Sequence, residues 1–422
     1  MIGSRFFILI LFLSTTVGAP LSALAADLSV PFELESAAVL PKGVSNPRFK
    51  TVFAPAQEKL DGTGTTLGLG SSFNKTLTWS DIFKNLDNDS QRASARSIMS
   101  KAGISDDQSP GSTTGMVNAY QTAIVPVLAY GLTARLTIGV AVPVVHTDIS
   151  VDTGFVTSGA GQSFANQAGL SASNWKGEDV SNRFNNAVNE ELKKNNYDPL
   201  RSQSITALGD TKLFAKYLVA GDVDNDFSVK TMLSTPTGSQ PNDRQIVDPA
   251  TSSGNYGLSA LLLYDRKRIV GDLGFNAYGE YTYEFADSLE RRVPTSMGDQ
   301  VSPDAENVNR KTGDQMGVGT SLVYEFPRLG VHLGAGYNLQ YQKPTSFGGT
   351  QYVQERYRWL EGLYPEEVLH SATLSTGFST VNWYRQKRFS YPLEANFSYS
   401  RALSGVNVVK AEVIEAELVV FF

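Results

Sequence analysis

The chain has 422 residues, a formal net charge of −6 and no cysteine. The absence of cysteine excludes a disulfide framework, thiolate metal ligands and a cysteine nucleophile. The acidic balance, without any basic cluster, argues against a nucleic-acid partner.

The N-terminus has the pattern of an export signal. Arg5 precedes an apolar run over 6–13, and Ala23-Leu24-Ala25 supplies the small residues of a cleavage site. The run is too short to cross ~30 Å of hydrocarbon as a helix. We therefore predict a signal peptide over 1–25, cleaved before Ala26, rather than a membrane anchor.

The next segment, 26–61, is rich in proline. It carries Pro31, Pro41, Pro47 and Pro55. We expect this segment to form a periplasmic tail or a short plug of a lumen, and we assign 62–422 to a transmembrane β-barrel.

Beyond this segment, apolar and polar residues alternate over stretches of about ten residues, the pattern of strands with one lipid-facing and one polar side. In 272–285, for example, Phe275 and Tyr281 alternate with Asn276 and Glu280. Twelve such strands are predicted, near 62–73, 116–130, 133–148, 207–220, 226–236, 254–266, 269–285, 313–326, 329–343, 367–383, 389–403 and 409–422.

The links between these strands alternate between short and long. The short ones lie near 130–133, 221–225, 266–268, 327–330 and 385–388. The others cover 74–115, 149–206, 237–253, 286–312 and 344–366, with one tight exception at 404–406. This sorting predicts an all-β fold, a membrane-spanning antiparallel up-and-down β-barrel with long extracellular loops and short periplasmic turns. A soluble all-β protein has no reason to sort its loops in this way.

The last residue, Phe422, closes an alternating strand. A terminal aromatic residue in this place resembles the signature that the outer-membrane assembly machinery recognises. The cell outer membrane of a Gram-negative bacterium is therefore the predicted location.

The long loop 149–206 has a helical interior. Val180, Phe184, Val188 and Leu192 recur every three to four residues, with polar residues between them. This helix could form a constriction or a lid at the barrel mouth, or it could pack within the loop without any gating role.

Signatures of catalysis and metal binding are weak. The three histidines, His146, His332 and His370, have none of the spacing of outer-membrane phospholipases or omptin-type proteases. The acidic run 222–226 begins like a calcium-binding loop but lacks the glycine and the final glutamate that such a loop requires. We predict no enzyme activity, no metal and no cofactor.

Strand parity places a set of charged residues opposite the apolar faces. These candidates for the lumen are Arg135, Lys212, Lys216, Lys230, Glu280, Glu325, Glu394 and Glu415. A Lys or Arg that faces lipid at the bilayer midplane costs about 2–4 kcal/mol, whereas a wet lumen tolerates it. The charges predict either a constriction that selects solutes or a salt-bridged plug that keeps a small barrel closed.

Three segments resemble the family of phenol-degradation meta-pathway outer-membrane proteins. They are 129–143 (AYGLTARLTIGVAVP), 207–217 (ALGDTKLFAKY) and 233–238 (LSTPTG). The family's usual "GLGD" is ALGD here, and its "LPTG" has Thr235 before Pro236. The resemblance covers the second to fifth strands best, and it implies a barrel that transports small, aromatic or hydrophobic compounds.

These observations predict a passive channel for small molecules, including hydrophobic or aromatic ones. Its partners would be outer-membrane lipids, lipopolysaccharide and small-molecule solutes. Two alternatives remain: a non-transporting structural or surface-interaction barrel, and, with less support, an outer-membrane lipid-modifying enzyme.

Overall fold

The computed structural model describes residues 35–84, 89–169, 177–299 and 301–422, so the predicted signal peptide lies outside the described residues. The strands are β1 (Ser45–Leu60), β2 (Thr66–Gly68), β3 (Lys75–Leu77), β4 (Gly111–Gly131), β5 (Leu136–Ala141), β6 (Val144–Thr157), β7 (Gln203–Leu208), β8 (Thr211–Gly221), β9 (Asn225–Thr235), β10 (Gly257–Val270), β11 (Leu273–Glu284), β12 (Asp287–Arg292), β13 (Ala305–Lys311), β14 (Gln315–Phe326), β15 (Val331–Gln342), β16 (Ser346–Gly348), β17 (Glu367–Ser379), β18 (Leu393–Val406) and β19 (Val408–Val420).

The helices are α1 (Trp79–Lys84), α2 (Asp89–Ala102), α3 (Gly159–Gln167), α4 (Gly177–Lys194), α5 (Gln354–Glu361) and α6 (Val381–Arg385), and a 3-10 turn covers Leu69–Phe73. In the part of the chain that the structure describes, no helix is long and apolar enough to cross a membrane.

The large sheet closes on itself because β1 pairs with both the last strand, β19, and β4. Its neighbours follow chain order, and every pairing is antiparallel. Since β5 and β6 both pair with β4, they form one wall strand interrupted before Val144, and β7 and β8 form the next. Within the described ranges the wall thus has twelve strands, which confirms the predicted up-and-down barrel.

The two faces of the wall differ as the alternation predicts. In β10, Leu258 and Leu262 lie outside and are 46% and 54% exposed, whereas Leu261 and Leu263 lie inside and are buried. Similar outward-facing hydrophobic residues follow around the ring, among them Phe49, Ile124, Leu128, Leu213, Val318, Leu322, Leu374, Phe397 and Leu418. A continuous apolar belt of this kind needs a hydrocarbon environment, so the barrel spans a membrane. Single-chain barrels of this type belong to the outer membrane.

Loop lengths are sorted between the two ends. The links after β4, β8, β10 and β14 are turns of a few residues, whereas those after β1, β6, β9, β11 and β15 are long. The link after β17 is longer than predicted, because the strand ends at Ser379 and α6 follows where the prediction continued the strand to residue 383. We call the end with the turns periplasmic and the other external.

The prediction for the first strand is wrong. The wall strand is β1, Ser45–Leu60, within the segment expected to be a tail or plug, whereas 62–73 forms only β2 and the 3-10 turn. Two prolines obscured the pattern because proline lacks the N–H that a ladder uses. Pro55 lies beside an irregularity in the β1–β19 ladder, where a missing donor is tolerated.

The external loops form two small packed caps. In one, α1, α2 and α3 surround the buried Trp79, whose ring centroid lies 4.5 Å from that of Phe164. In the other, β12, β13 and β16 form a three-stranded sheet on which α5 packs through Tyr357 and Leu360.

Candidate functional site: the barrel lumen

Two lysines of neighbouring strands meet one carboxylate inside the lumen. Lys216 of β8 lies directly opposite Lys230 of β9 in the ladder. Their ammonium nitrogens lie 2.8 and 2.5 Å from the two carboxylate oxygens of Glu35. Charge-assisted hydrogen bonds of this length are among the stronger polar contacts in proteins. Glu35 therefore neutralises part of a positive cluster on this side of the wall.

Glu35 belongs to a segment that enters the lumen from the periplasmic end, residues 35–44, which we call the strap. Its lower end is fixed beside the first turn, where Gly43 N donates to Gly131 O at 2.8 Å and Gly131 N donates to Val44 O at 2.9 Å. Further into the lumen, Leu40 N donates to Thr137 Oγ1 of β5 at 2.8 Å. The strap therefore follows the inner wall towards the lysines.

The upper part of the strap, residues 35–40, is the part furthest from the periplasmic turn at Gly131, and it binds to β10. The Asp265 carboxylate accepts hydrogen bonds from Ser36 Oγ at 2.6 Å and from Ala37 N at 2.8 Å. Its other oxygen accepts from Asn276 Nδ2 at 2.7 Å, which orients it. Ala37 itself packs against Leu261, Leu263 and Tyr278, which explains why these inward-facing leucines are buried.

Ion pairs also cover the wall where the ring closes. Lys50 of β1 lies 3.0 Å from Glu415 of β19, and Arg48 lies 3.7 Å from Glu417. Asn396 Nδ2 of β18 donates to Glu417 at 3.1 Å. These contacts tie β18, β19 and β1 together on the inside of the barrel.

Glu280 of β11 is a buried lumen carboxylate that is only partly hydrogen-bonded. It is 8% exposed, and Thr282 Oγ1 donates to its Oε1 at 3.1 Å. Its Oε2 has no hydrogen-bond partner among the described residues. A buried acceptor without a partner costs about 1–3 kcal/mol. Such a group is a candidate for contact with water or with a passing solute.

A cluster of buried, mainly apolar side chains packs at the external end of the interior. We call it the apolar cluster, and its residues are Ala56, Leu69, Val117, Ala119, Ile149, Leu192, Tyr197, Ile246 and Val247. Leu192 belongs to α4, so the helix predicted in the loop 149–206 is confirmed as Gly177–Lys194 and packs inside the mouth.

The structure distributes the predicted lumen residues unevenly. Lys216 and Lys230 meet at Glu35, Glu415 pairs with Lys50, and Glu280 lies buried in the wall. Lys212 shares the inward face of β8 with Lys216 and is exposed. The last two of the inward-facing set lie near the periplasmic end: Glu394, which accepts from Ser379 Oγ at 3.1 Å, and the exposed Glu325.

Arg135 lies at the periplasmic edge of the wall. It is exposed in the turn between β4 and β5, one residue before β5 begins at Leu136. Its backbone O accepts a hydrogen bond from Leu218 N of β8 at 2.8 Å, so its place at the lumen stays a prediction.

Sequence analysis missed Glu35, Lys50 and Asp265. Lys50 lies in β1, which the sequence analysis did not predict as a strand. Strand parity applied to β10 would have identified Asp265 as an inward-facing residue. Glu35 lies outside every strand and carries no periodic signal.

No known protein family and no curated protein matches the chain by sequence. Among solved structures, the fold is similar to the COG4313 outer membrane channel from Pseudomonas putida F1, with 11% identity and a TM-score of 0.50 over 93% of this chain and 99% of that chain. More distant similarities include the CymD monoaromatic hydrocarbon channel, with 9% identity and a TM-score of 0.34 over 96% of this chain and 93% of that chain. Another is the Ralstonia pickettii toluene transporter TbuX, with 11% identity and a TM-score of 0.34 over 97% of this chain and 98% of that chain. The first similarity concerns the fold: the chain shares the barrel architecture of that outer-membrane channel.

Proposed function

We propose that the protein is a passive outer-membrane channel for small molecules that have an apolar part. The observation that carries this proposal is the order of the surfaces inside the barrel. The apolar cluster lies at the external end, and the Lys50–Glu415 ion pair, the two lysines at Glu35 and the strap lie closer to the periplasm. An apolar surface at the entrance holds such solutes, and a charged passage below it selects among them.

The proposal includes membership of the phenol-degradation meta-pathway family that the sequence motifs resemble. Two of those motifs lie on or beside β8 and β9, the strands that carry Lys216 and Lys230. The ALGD stretch forms the junction between β7 and β8, and Lys216 follows it in the same strand. Outer-membrane lipids and lipopolysaccharide would surround the apolar belt and the external loops.

One rival function has support in the structure. The strap, α4 and the external loops fill much of the interior, as expected of a closed barrel that serves a structural or surface-binding role. No described group of three or more His, Asp or Glu residues could hold a metal ion, which leaves a metal-assisted enzyme without a site in these ranges.

Liposome swelling distinguishes the channel from the closed barrel. Mature protein reconstituted in liposomes should admit small sugars and their phenyl glycosides, which cross lipid slowly, faster than protein-free liposomes do. A variant that lacks 177–194 should admit bulky solutes faster still, because α4 packs inside the mouth. Equal swelling with and without protein, for both variants, would contradict the channel and favour the closed barrel.

A further inference from the structure

The Glu35 carboxylate fills a site that the wall itself provides. Lys216 and Lys230 are a directly opposed cross-strand pair, and such like-charged pairs repel unless an anion lies between them. Their side chains are only 8% and 13% exposed, so water screens the repulsion poorly. Each ammonium holds one oxygen of the carboxylate, which is the geometry of a built anion site.

Apolar groups adjoin this anion site. The ring of Phe214 lies 4.8 Å from Lys230 Nζ. Two residues after Glu35, the Ala37 methyl group enters the cluster of Leu261, Leu263 and Tyr278. The strap thus presents a carboxylate and an apolar group together, to two lysines and an apolar wall.

We propose that Lys216 and Lys230 form a binding site for the carboxylate of a small solute with an apolar body, and that Glu35 occupies this site until such a solute displaces it. The inference deepens the proposed channel function and rests on it for the route by which the solute arrives. Aromatic monocarboxylates have the required combination of groups.

Displacement of the strap does not require the ring to open. Residues 35–40 belong to no helix or strand. They are held by side-chain contacts, such as those of Asp265 and of Ser228, whose Oγ donates to Ala37 O at 2.5 Å. The upper strap can therefore detach while Gly43 and Val44 stay bound beside the turn at Gly131.

The test is calorimetric titration of mature, detergent-solubilised protein with benzoate. Glu35→Gln removes the charge of the internal competitor, so benzoate should bind about tenfold more tightly, or better, than to the unmodified protein. Adding Lys216→Met to this variant should abolish the gain. Glu355→Gln is the control, because it neutralises an exposed carboxylate of α5 in the external cap and should leave binding unchanged.

Other probes separate the two halves of the site. Benzyl alcohol has the apolar body without the charge, and acetate and inorganic phosphate have the charge without the body. Each should bind Glu35→Gln at least about tenfold more weakly than benzoate does. Phosphate binding as tight as that of benzoate would show a general anion site and overturn the proposal.

Two further results would also overturn it: equal benzoate affinity in Glu35→Gln and the unmodified protein, and unchanged affinity after Lys216→Met. Correct folding is checked by heat-dependent gel migration, and Lys230→Met replaces Lys216→Met if that variant does not fold. Conductance distinguishes the two proposals. If the barrel conducts but Glu35→Gln does not change the benzoate affinity, this inference alone is contradicted. If the barrel binds benzoate but passes no current, the channel function alone is contradicted.

Discussion

Lys50 of the first wall strand lies 3.0 Å from Glu415 of the last, Nζ to Oε1, so an ion pair joins the two ends of the ring inside the lumen. Their side chains are only 8% and 15% exposed. Removing one partner leaves a poorly hydrated charge, so we expect Lys50→Met to lower the free energy of unfolding by about 3 kcal/mol. Unfolding in urea, in detergent, measures this loss.

The control for Lys50→Met is a more exposed pair between the same strands. Lys410 Nζ lies 2.7 Å from Glu58, and the Glu58 side chain is 50% exposed. Lys410→Met should therefore cost about 1 kcal/mol or less. Equal losses for the two variants would show that burial of the Lys50 pair contributes nothing to ring closure.

A glycine on the inner face of β14 should be sensitive to a single added methyl group. Tyr278 OH donates to Asn338 Oδ1 at 2.9 Å by lying across the wall at Gly319. A Cβ at Gly319 would overlap the Tyr278 ring and the Asn338 amide. We expect Gly319→Ala to destabilise the barrel by about 1–3 kcal/mol in urea unfolding.

Gly279 of β11 is the matched control for this substitution, because a Cβ there meets nothing within 4 Å. Gly279→Ala should be neutral or slightly stabilising. A comparable loss at both positions would mean that the Tyr278 contact is not the cause.

The external loop after β9 should loosen as the pH rises. Burial raises the pKa of Asp243 to about 6, although Arg291 and Arg292 favour its charged form, and burial likewise raises the pKa of Asp248 to about 6. Because the folded loop binds these protons more tightly than the unfolded chain, whose value is 3.8, stability falls as the pH rises from about 4 to about 6.

Hydrogen exchange, corrected for the intrinsic effect of pH, measures this loosening in 237–253. Protection should be greater at pH 4.5 than at about pH 7, and Asp243→Asn should flatten the profile. Asp198→Asn, which alters a carboxylate that pairs with Arg244 at 3.3 Å, should leave the slope in place. Protection that rises with pH would contradict the assignment.

A charge on the outer face should be costly in the middle of the wall and tolerated near its rim. Leu374 is 63% exposed and lies five residues from the periplasmic end of β17 at Ser379, whereas Leu403 is 59% exposed and lies near the external end of β18. We expect Leu374→Arg to destabilise by about 2–4 kcal/mol and Leu403→Arg by about 0–1 kcal/mol. Urea unfolding in lipid vesicles measures both, and a reversed order would contradict the membrane position.

The wall could largely be predicted from the sequence, because lipid and lumen impose opposite polarities on successive residues. β11, β14 and β15 each show this alternation over twelve residues. β1 was missed for a local reason: Pro47 and Pro55 mark loops in most contexts, and here they occupy wall positions opposite Leu128 and Tyr120. The alternation of Phe49 and Phe53 with Lys50 was present but was outweighed by the prolines.

The lumen could be predicted only in part, because its key contacts connect distant parts of the chain. Parity predicts that Lys216 and Lys230 share one face of the wall, yet nothing in their spacing indicates Glu35 as their partner. The hydrogen bond between Ser36 and Asp265 spans 229 positions, and it forms only after the ring has closed around the strap.

Single-channel conductance in planar bilayers tests the central claim most directly, which is that the lumen is a water-filled path that the strap narrows. The comparison is between the mature protein and a chain in which the predicted export signal, 1–25, is joined directly to Val44, so that 26–43 are absent and β1 is intact. The account predicts small steps for the mature protein and clearly larger ones for the shortened chain. Absence of current from the shortened, correctly folded barrel would contradict it.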